Sequence, residues 1–219
     1  MPQRIGVLGG TFDPVHIGHL RIGEEVAELL GLDIVLFIPS AAPPHKDGQE
    51  VAPFAHRWEM LRMALNGNPR FQLSDIERRM PGKSYSVLTL RKLREEFKGN
   101  GRCFFLVGLD AFLELHTWWR FQELFRLASL VVLPRPGFDP AFIEGFLTRE
   151  VSREYTRQGE GTVFVHPSLL PVRCLSCTEL GVSSTQIRRL VRQGRSIRYL
   201  VVPEVMRYIH ANGLYREVF

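Results

Sequence analysis

Arg4-Ile5-Gly6-Val7-Leu8-Gly9-Gly10-Thr11-Phe12-Asp13-Pro14-Val15-His16-Ile17-Gly18-His19 is the stretch on which the fold turns. The apolar run 4–8 ends in two glycines, and from Gly18 onward Leu20, Ala27, Leu29 and Leu30 recur at roughly helical spacing until Gly31. That pattern predicts a strand, a glycine turn and a helix. Asp33-Ile34-Val35-Leu36-Phe37-Ile38 is a second continuous apolar run, stopped by Pro39, as expected of a strand covered on both faces of a parallel sheet. The three pieces make a βαβ unit.

The alternation continues outward. Helical spacing predicts a helix over 54–65, a short strand at 71–73, a helix over 84–97 and a strand at 103–107, followed by a helical region to 127 and a strand at 130–133 ahead of Pro134. Strands separated by helices imply right-handed crossovers, so the expected fold class is α/β: a Rossmann-like, doubly wound, mostly parallel sheet with helices on both faces. The stretch 137–180 is less regular, with a helix near 141–146, a polar stretch at 153–161 and a strand at 162–165. Ser183-Ser184-Thr185 offers side chains suited to capping a helix through Ile187, Leu190 and Val191 to Gly194, and a last helix follows Pro203. No repeat or linker divides the chain, so one domain over 1–219 is expected, with the helical part from about 183 packed on it.

The 219 residues, 45% hydrophobic and 23% charged, are ordinary for a globular protein, and no apolar run approaches the roughly 20 residues that cross a bilayer. A cytoplasmic location is expected, with neither a membrane nor a nucleic acid as partner, and association into a homo-oligomer stays open. The formal charge of +5 suits acidic ligands and a solvated basic surface equally well. Three cysteines, Cys103, Cys174 and Cys177, cannot all pair within the chain, and Cys174-x-x-Cys177 is a zinc half-site without its second pair, so no metal ligands are assigned.

Chemistry is concentrated in the opening stretch. Gly9 and Gly10 leave backbone N–H groups open to a phosphate, and His16 and His19 sit around the start of the first helix, where its dipole favours an anion. A glycine pair or a histidine pair alone would fit a structural turn or an incomplete metal site. Glycines, Thr11, Asp13-Pro14 and both histidines between a strand and a helix form a much more specific set.

This set resembles the HxGH nucleotidyltransferase superfamily, and more closely its bacterial nicotinate-nucleotide adenylyltransferases, whose first motif is similar to GGTFDPxHxGH. Further matching segments are Pro43-Pro44-His45-Lys46, Ser84-Tyr85-Ser86, Gly108-Leu109-Asp110, Thr117-Trp118, Arg135-Pro136-Gly137 and Ser183-Ser184-Thr185-Gln186-Ile187-Arg188. The resemblance implies transfer of the adenylyl group of ATP to nicotinate mononucleotide, with Mg2+ accompanying ATP. It implies His16, His19, Lys46 and Arg188 as catalytic residues. ATP is expected at Gly9, Gly10, Thr11, Phe12, His16, Gly18, His19, Gly108, Asp110, Ser183, Ser184, Thr185 and Arg188. The mononucleotide is expected at Thr11, His45, Lys46, Tyr85, Ser86, Trp118, Trp119 and Arg135, with Trp118 as a face for the nicotinate ring. Asp110 is also a candidate N-cap for the helix that follows it.

The reactants set the same demands. A phosphate monoester has its second pKa near about 6, so at neutral pH it is already a nucleophile and needs no strong base. Two anions must meet while charge grows on the departing pyrophosphate, so donors matter more than bases. The chain departs from the family pattern at Leu88-Thr89-Leu90, where an Asp-Thr-Leu triplet is usual, and in the longer stretch 137–180. Rival expectations are a relative with another acceptor, nicotinamide mononucleotide or phosphopantetheine, and a noncatalytic nucleic-acid-binding protein, for which the arginines from Arg188 to Arg198 speak but no RNA- or DNA-binding motif does.

Overall fold

The computed structural model describes residues 2–42, 51–134, 139–159 and 162–216. Among these, eight strands form one sheet: β1 (Gln3–Gly10), β2 (Ile34–Pro39), β3 (Phe71–Leu73), β4 (Gly101–Gly108), β5 (Ser129–Leu133), β6 (Thr156–Gln158), β7 (Val163–Val165) and β8 (Val172–Cys174), in the order β3-β2-β1-β4-β5-β8-β7-β6. All neighbours pair in parallel except β6 with β7 and β7 with β8. The α/β, mostly parallel architecture is the expected one.

Alternation along each strand builds two apolar layers. Ile34, Leu36 and Ile38 of β2 face the same side as Phe105 of β4 and Leu130 of β5, while Val35, Phe37, Phe104 and Val131 face the other. The first layer is closed by α3 (Ser86–Glu96), α4 (Leu109–Leu113), α5 (Leu124–Leu127) and α6 (Ala141–Phe146), which contribute Leu90, Phe112, Phe125 and Phe146. The second is closed by α1 (Ile17–Leu30), α2 (Phe54–Leu65), α7 (Ser184–Arg192) and α8 (Pro203–Ala211), through Val26, Leu61, Ile187 and Ile209. Every residue of β2 is buried because both of its faces are covered.

Two strands had no expectation. β6 is exposed at all three residues and β8 buries only Val172 and Cys174, so neither has the length or pattern that marks a strand. The helical region to 127 is broken, with 3-10 turns at Leu115–Thr117 and Phe121–Glu123 between α4 and α5. Cys174 belongs to the first apolar layer and Cys177 packs against the second, so the sheet separates the two thiols. His166 instead accepts the Ser168 and Leu169 N–H groups at Nδ1, 3.0 and 3.1 Å away.

The connections from β1 through β2 to β3 run to one side of the sheet, and those from β4 through β5 to β8 run to the other. Their parting leaves a crevice beyond the carboxyl ends of β1 and β4, where Gly9, Gly10 and Gly108 stand.

Candidate active site

The sharp glycine turn expected at Gly9-Gly10 does not occur there. Both residues are still in β1, opposite Ile38 and Pro39. The chain turns at Phe12, a non-glycine residue at φ 50°, whose ring is buried between Phe37 and His19, with centroids 6.0 and 4.9 Å away. Ring burial holds a backbone conformation that L-residues otherwise avoid. The glycines serve clearance instead. A Cβ on Gly10 would lie 3.2 Å from the Phe12 ring, and one on Gly9 would point into open space within 4 Å, leaving that peptide uncovered at the crevice.

His16 is the N-cap residue of α1 and His19 stands in its first turn, their rings stacked with centroids 3.7 Å apart. The His16 N–H donates to His19 Nδ1 at 3.2 Å. An accepting Nδ1 carries no proton, so the neutral His19 ring has its hydrogen on Nε2. Burial lowers the His16 pKa to about 4, and burial followed by the neighbouring His16 holds His19 well below the ordinary histidine value. Both rings are therefore neutral at pH 7, suited to donating hydrogen bonds rather than to acid–base exchange. Gly18 makes the stack possible: a Cβ there would stand 3.0 Å from His16 Nδ1 and 3.1 Å from its Cε1. Gly18→Ala is expected to displace the His16 ring and lower kcat about tenfold, an order-of-magnitude loss for a misaligned group, with a melting curve close to wild type. Steady-state kinetics beside a thermal melt checks this.

Beneath this loop lies a polar network that no local pattern announces. The buried Asp13 carboxylate accepts the Tyr215 hydroxyl at 2.7 Å and the Ala52 N–H at 3.3 Å, and Arg188 Nη1 stands 3.8 Å from it. Arg188 Nη1 also donates to the Asp13 carbonyl at 2.8 Å, and the buried Arg57 donates to the carbonyls of Thr11 at 2.8 Å and Ala52 at 2.9 Å. Burial lowers the Arg57 pKa, with Asp13 opposing. Two arginines thus brace the carbonyls of the loop from behind, leaving its other side to the crevice.

The crevice is a cavity of about 1330 Å³. Gly9, Gly10, Thr11, His16, Gly18, His19, Gly108 and Ser183 line one part, and Tyr85, Ser86, Trp118 and Trp119 another. Ser86 opens α3, and the N–H groups of Ser86 and Val87 precede those of Leu88 and Thr89, which donate to the Tyr85 carbonyl at 2.9 and 3.2 Å, so this helix start lines the cavity with donors free of intrahelical partners. Trp119 tilts over Tyr85 at 5.0 Å, and Trp118 packs partly on the first apolar layer. Ser84 Oγ accepts the N–H groups of Ala41 and Ala42 at 3.0 and 3.1 Å, fastening the loop after β2 to this wall. Glu77 is part of the same wall, taking the Thr89 hydroxyl at 2.8 Å, with its pKa raised by burial against hydrogen bonds from Ser84 and Thr89. Cys177 to Ser183 forms a third wall, pinned by the Thr178 N–H to Glu25 of α1 at 2.6 Å. Hydrogen bonds from Thr178 first, then Arg21, lower the Glu25 pKa to about 2.

Five residues expected at ATP stand off the cavity wall. Phe12 supports the loop. Asp110 is the second residue of α4, whose N-cap is Gly108 rather than Asp110. Ser184 donates to the Pro14 carbonyl at 2.8 Å, Thr185 Oγ1 accepts from Arg188 at 3.3 Å, and Arg188 is turned toward Asp13. Ser183 is the N-cap of α7 and accepts the Gln186 N–H at 3.2 Å. His45, Lys46 and Arg135 lie outside the described residues. Sequence reasoning missed Arg57, Glu77, Glu25 and Tyr215, whose roles depend on partners up to 202 residues away.

A parallel sheet parting at β1 and β4, with uncovered peptides and two neutral imidazole donors at a helix start, defines a nucleotide-binding α/β protein of the nucleotidyltransferase class. The chain belongs to the cytidylyltransferase-like family, whose model matches residues 7–190. It is similar to proteins named "Probable nicotinate-nucleotide adenylyltransferase" from Geobacter sulfurreducens, 43% identical over 97% of this chain and 98% of that one, and from Syntrophotalea carbinolica, 44% identical over 98% of each. Among solved structures it resembles the Plasmodium falciparum nicotinic acid mononucleotide adenylyltransferase complexed with NaAD, with a TM-score of 0.73, 16% identity and 97% of both chains covered. That last likeness concerns the fold.

Proposed function

We infer that the protein transfers the adenylyl group of ATP to nicotinate mononucleotide, giving nicotinate adenine dinucleotide and pyrophosphate, a step of NAD biosynthesis. The observation that carries this reading is the neutral His16–His19 stack over the open Gly9 peptide, facing an aromatic wall across one cavity. The relatives' shared name agrees with it.

The mononucleotide phosphate oxygen attacks the ATP α-phosphorus, a P–O bond forms, and the bond to the bridging oxygen of pyrophosphate breaks. His19 Nε2–H and the N–H groups from Gly9 to Thr11 donate to the reacting phosphate, where negative charge gathers among preorganised donors. Ser183, at the start of α7, serves the departing phosphates, joined by Lys46, while Arg188, one turn into α7, acts on them through the Asp13 carbonyl that it braces. Gly108 and Asp110 flank the nucleoside. Trp118 supplies a face for the pyridine ring, and N–H groups at Ser86 and Trp119 receive its carboxylate. An amide NH2 cannot accept those bonds, which favours the acid. Tyr85, His45 and Arg135 complete the acceptor side.

No group of three or more His, Cys, Asp or Glu that could hold a metal occurs among the described residues. A donor set of imidazoles and backbone N–H groups suits a magnesium ion that arrives on the triphosphate, held by phosphate oxygens and water. Such an ion would neutralise charge on the leaving pyrophosphate. Among the described residues no helix is long and apolar enough to cross a membrane; we place the enzyme in the cytoplasm.

The test is an acceptor panel with ATP and magnesium, scored by pyrophosphate release. Nicotinate mononucleotide is expected to be the preferred acceptor, and a preference for nicotinamide mononucleotide or phosphopantetheine would replace this assignment. Trp118→Ala is expected to raise the KM for nicotinate mononucleotide about tenfold, the worth of one lost aromatic stack, and that for ATP far less. Equal changes in both would exclude the stacking role.

A further inference from the structure

The charge of the chain is unevenly placed. Residues 183–219 hold seven arginines and two glutamates, with no lysine or aspartate, so this segment carries the entire +5 and residues 1–182 sum to zero. Arg189, Arg192, Arg195 and Arg198 are exposed, and none has an ion-pair partner among the described residues. Elsewhere on the surface Arg62, Arg79 and Arg120 are paired with carboxylates, while Arg94 and Arg126 are exposed without an ion pair among the described residues; what sets the four apart is their place in one ten-residue stretch.

The segment that bears these four arginines is tied to the candidate active site at both ends. At one end Ser184 Oγ donates to the Pro14 carbonyl and Arg188 to that of Asp13, each at 2.8 Å. At the other the Ile17 N–H, next to His16, donates to the Leu200 carbonyl at 3.1 Å. Between these ties the inward residues Ile187, Leu190, Val191 and Ile197 are buried in the second apolar layer, which leaves the arginines on the outer side. The segment is an arch over the loop 13–17. Arg189 and Arg192 lie one and four residues past Arg188 on α7, at about 1.5 Å of rise per residue. Arg195 and Arg198 lie five and two residues before Leu200, at no more than about 3.5 Å of chain per residue, so each arginine is within roughly 18 Å of a tie.

We propose that this arginine arch is an electrostatic approach surface for polyphosphate anions, raising the effective affinity for ATP without touching it in the bound state. The inference rests on the ATP site proposed above. Unpaired charges at such distances act across water and fade with salt, because the Debye length is about 20 Å at low ionic strength and about 8 Å near physiological salt. Arg188 belongs to the site itself and is not part of the arch.

The test compares wild type with the triple variants Arg192→Gln/Arg195→Gln/Arg198→Gln and Arg192→Lys/Arg195→Lys/Arg198→Lys, after matching thermal melts. Titration calorimetry with magnesium-ATP at about 20 mM salt is expected to show affinity about fourfold weaker in the glutamine variant, a screened Coulomb effect of three charges. The difference should shrink to less than about twofold at 0.3 M salt, as screening requires. The lysine variant should bind like wild type, since only charge matters, and adenosine should bind all three proteins equally. In turnover the loss should appear in kcat/KM through KM, with kcat unchanged. Equal ATP affinity at low salt, a loss that persists at high salt, or a lysine variant as weak as the glutamine one would each overturn the proposal. So would micromolar binding of a twelve-nucleotide RNA that the glutamine variant loses while keeping wild-type ATP affinity. Failure of the functional reading would show separately, as wild type that binds ATP with this salt dependence yet releases no pyrophosphate with nicotinate mononucleotide.

Discussion

His19→Ala is expected to lower kcat by about 10²–10³-fold, the usual consequence of removing one preorganised donor from a developing oxyanion. The melting temperature should stay within a few degrees of wild type, because the half-buried ring lines the cavity and its ring contacts are with Phe12 and His16. The hydrogen bond from the His16 N–H sharpens the expectation, since it fixes the His19 proton on Nε2. His19→Gln places an amide NH2 near that position and should recover part of the rate, whereas His19→Asn mimics the Nδ1 side and should not. Turnover of His19→Ala near the wild-type value would remove the histidine from the chemistry. Recovery by asparagine but not glutamine would reverse the tautomer.

The second large effect falls on stability. Asp13→Ala leaves the buried Arg57 without its opposing charge and Tyr215 without its acceptor. Breaking a buried charge network in this way costs about 3 kcal/mol, which for a chain of this length lowers the thermal midpoint by roughly 10 °C. Arg188 loses a partner of the loop at the same time, so the KM for ATP should rise. Asp13→Asn retains an acceptor for Tyr215 and should fall between the two. Tyr215→Phe, which deletes one hydroxyl, should cost only about 1 kcal/mol. Urea or thermal unfolding of the series checks the order, and an Asp13→Ala midpoint equal to wild type would show that the network does not stabilise the fold.

Legibility followed the range of the interactions. The helix over Phe54–Leu65 and the strand Phe71–Leu73 were readable to the residue because their signals are local. β6 and β8 were not: β6 is a polar strand exposed at all three residues and β8 buries only its first and last, so neighbouring strands rather than an apolar run select them. At the site, the residues facing the ligand side stood out as a motif. Those facing the protein side did not: nothing near Asp13 announces Tyr215, and nothing near Thr11 announces Arg57. The two glycines show a subtler gap. Their presence was legible, but the residue that turns the chain is Phe12, whose conformation depends on Phe37 and His19 already being in place.

The bond between Tyr215 and Asp13 joins residues 202 positions apart. A ribosome therefore adds the group that fastens the catalytic loop 202 residues after the carboxylate it holds. The parallel strands can pair as they emerge, but the loop waits for its brace until Tyr215 has been added and released. A chain abandoned before that point would carry the sheet and both imidazoles without the fixed carboxylate behind them.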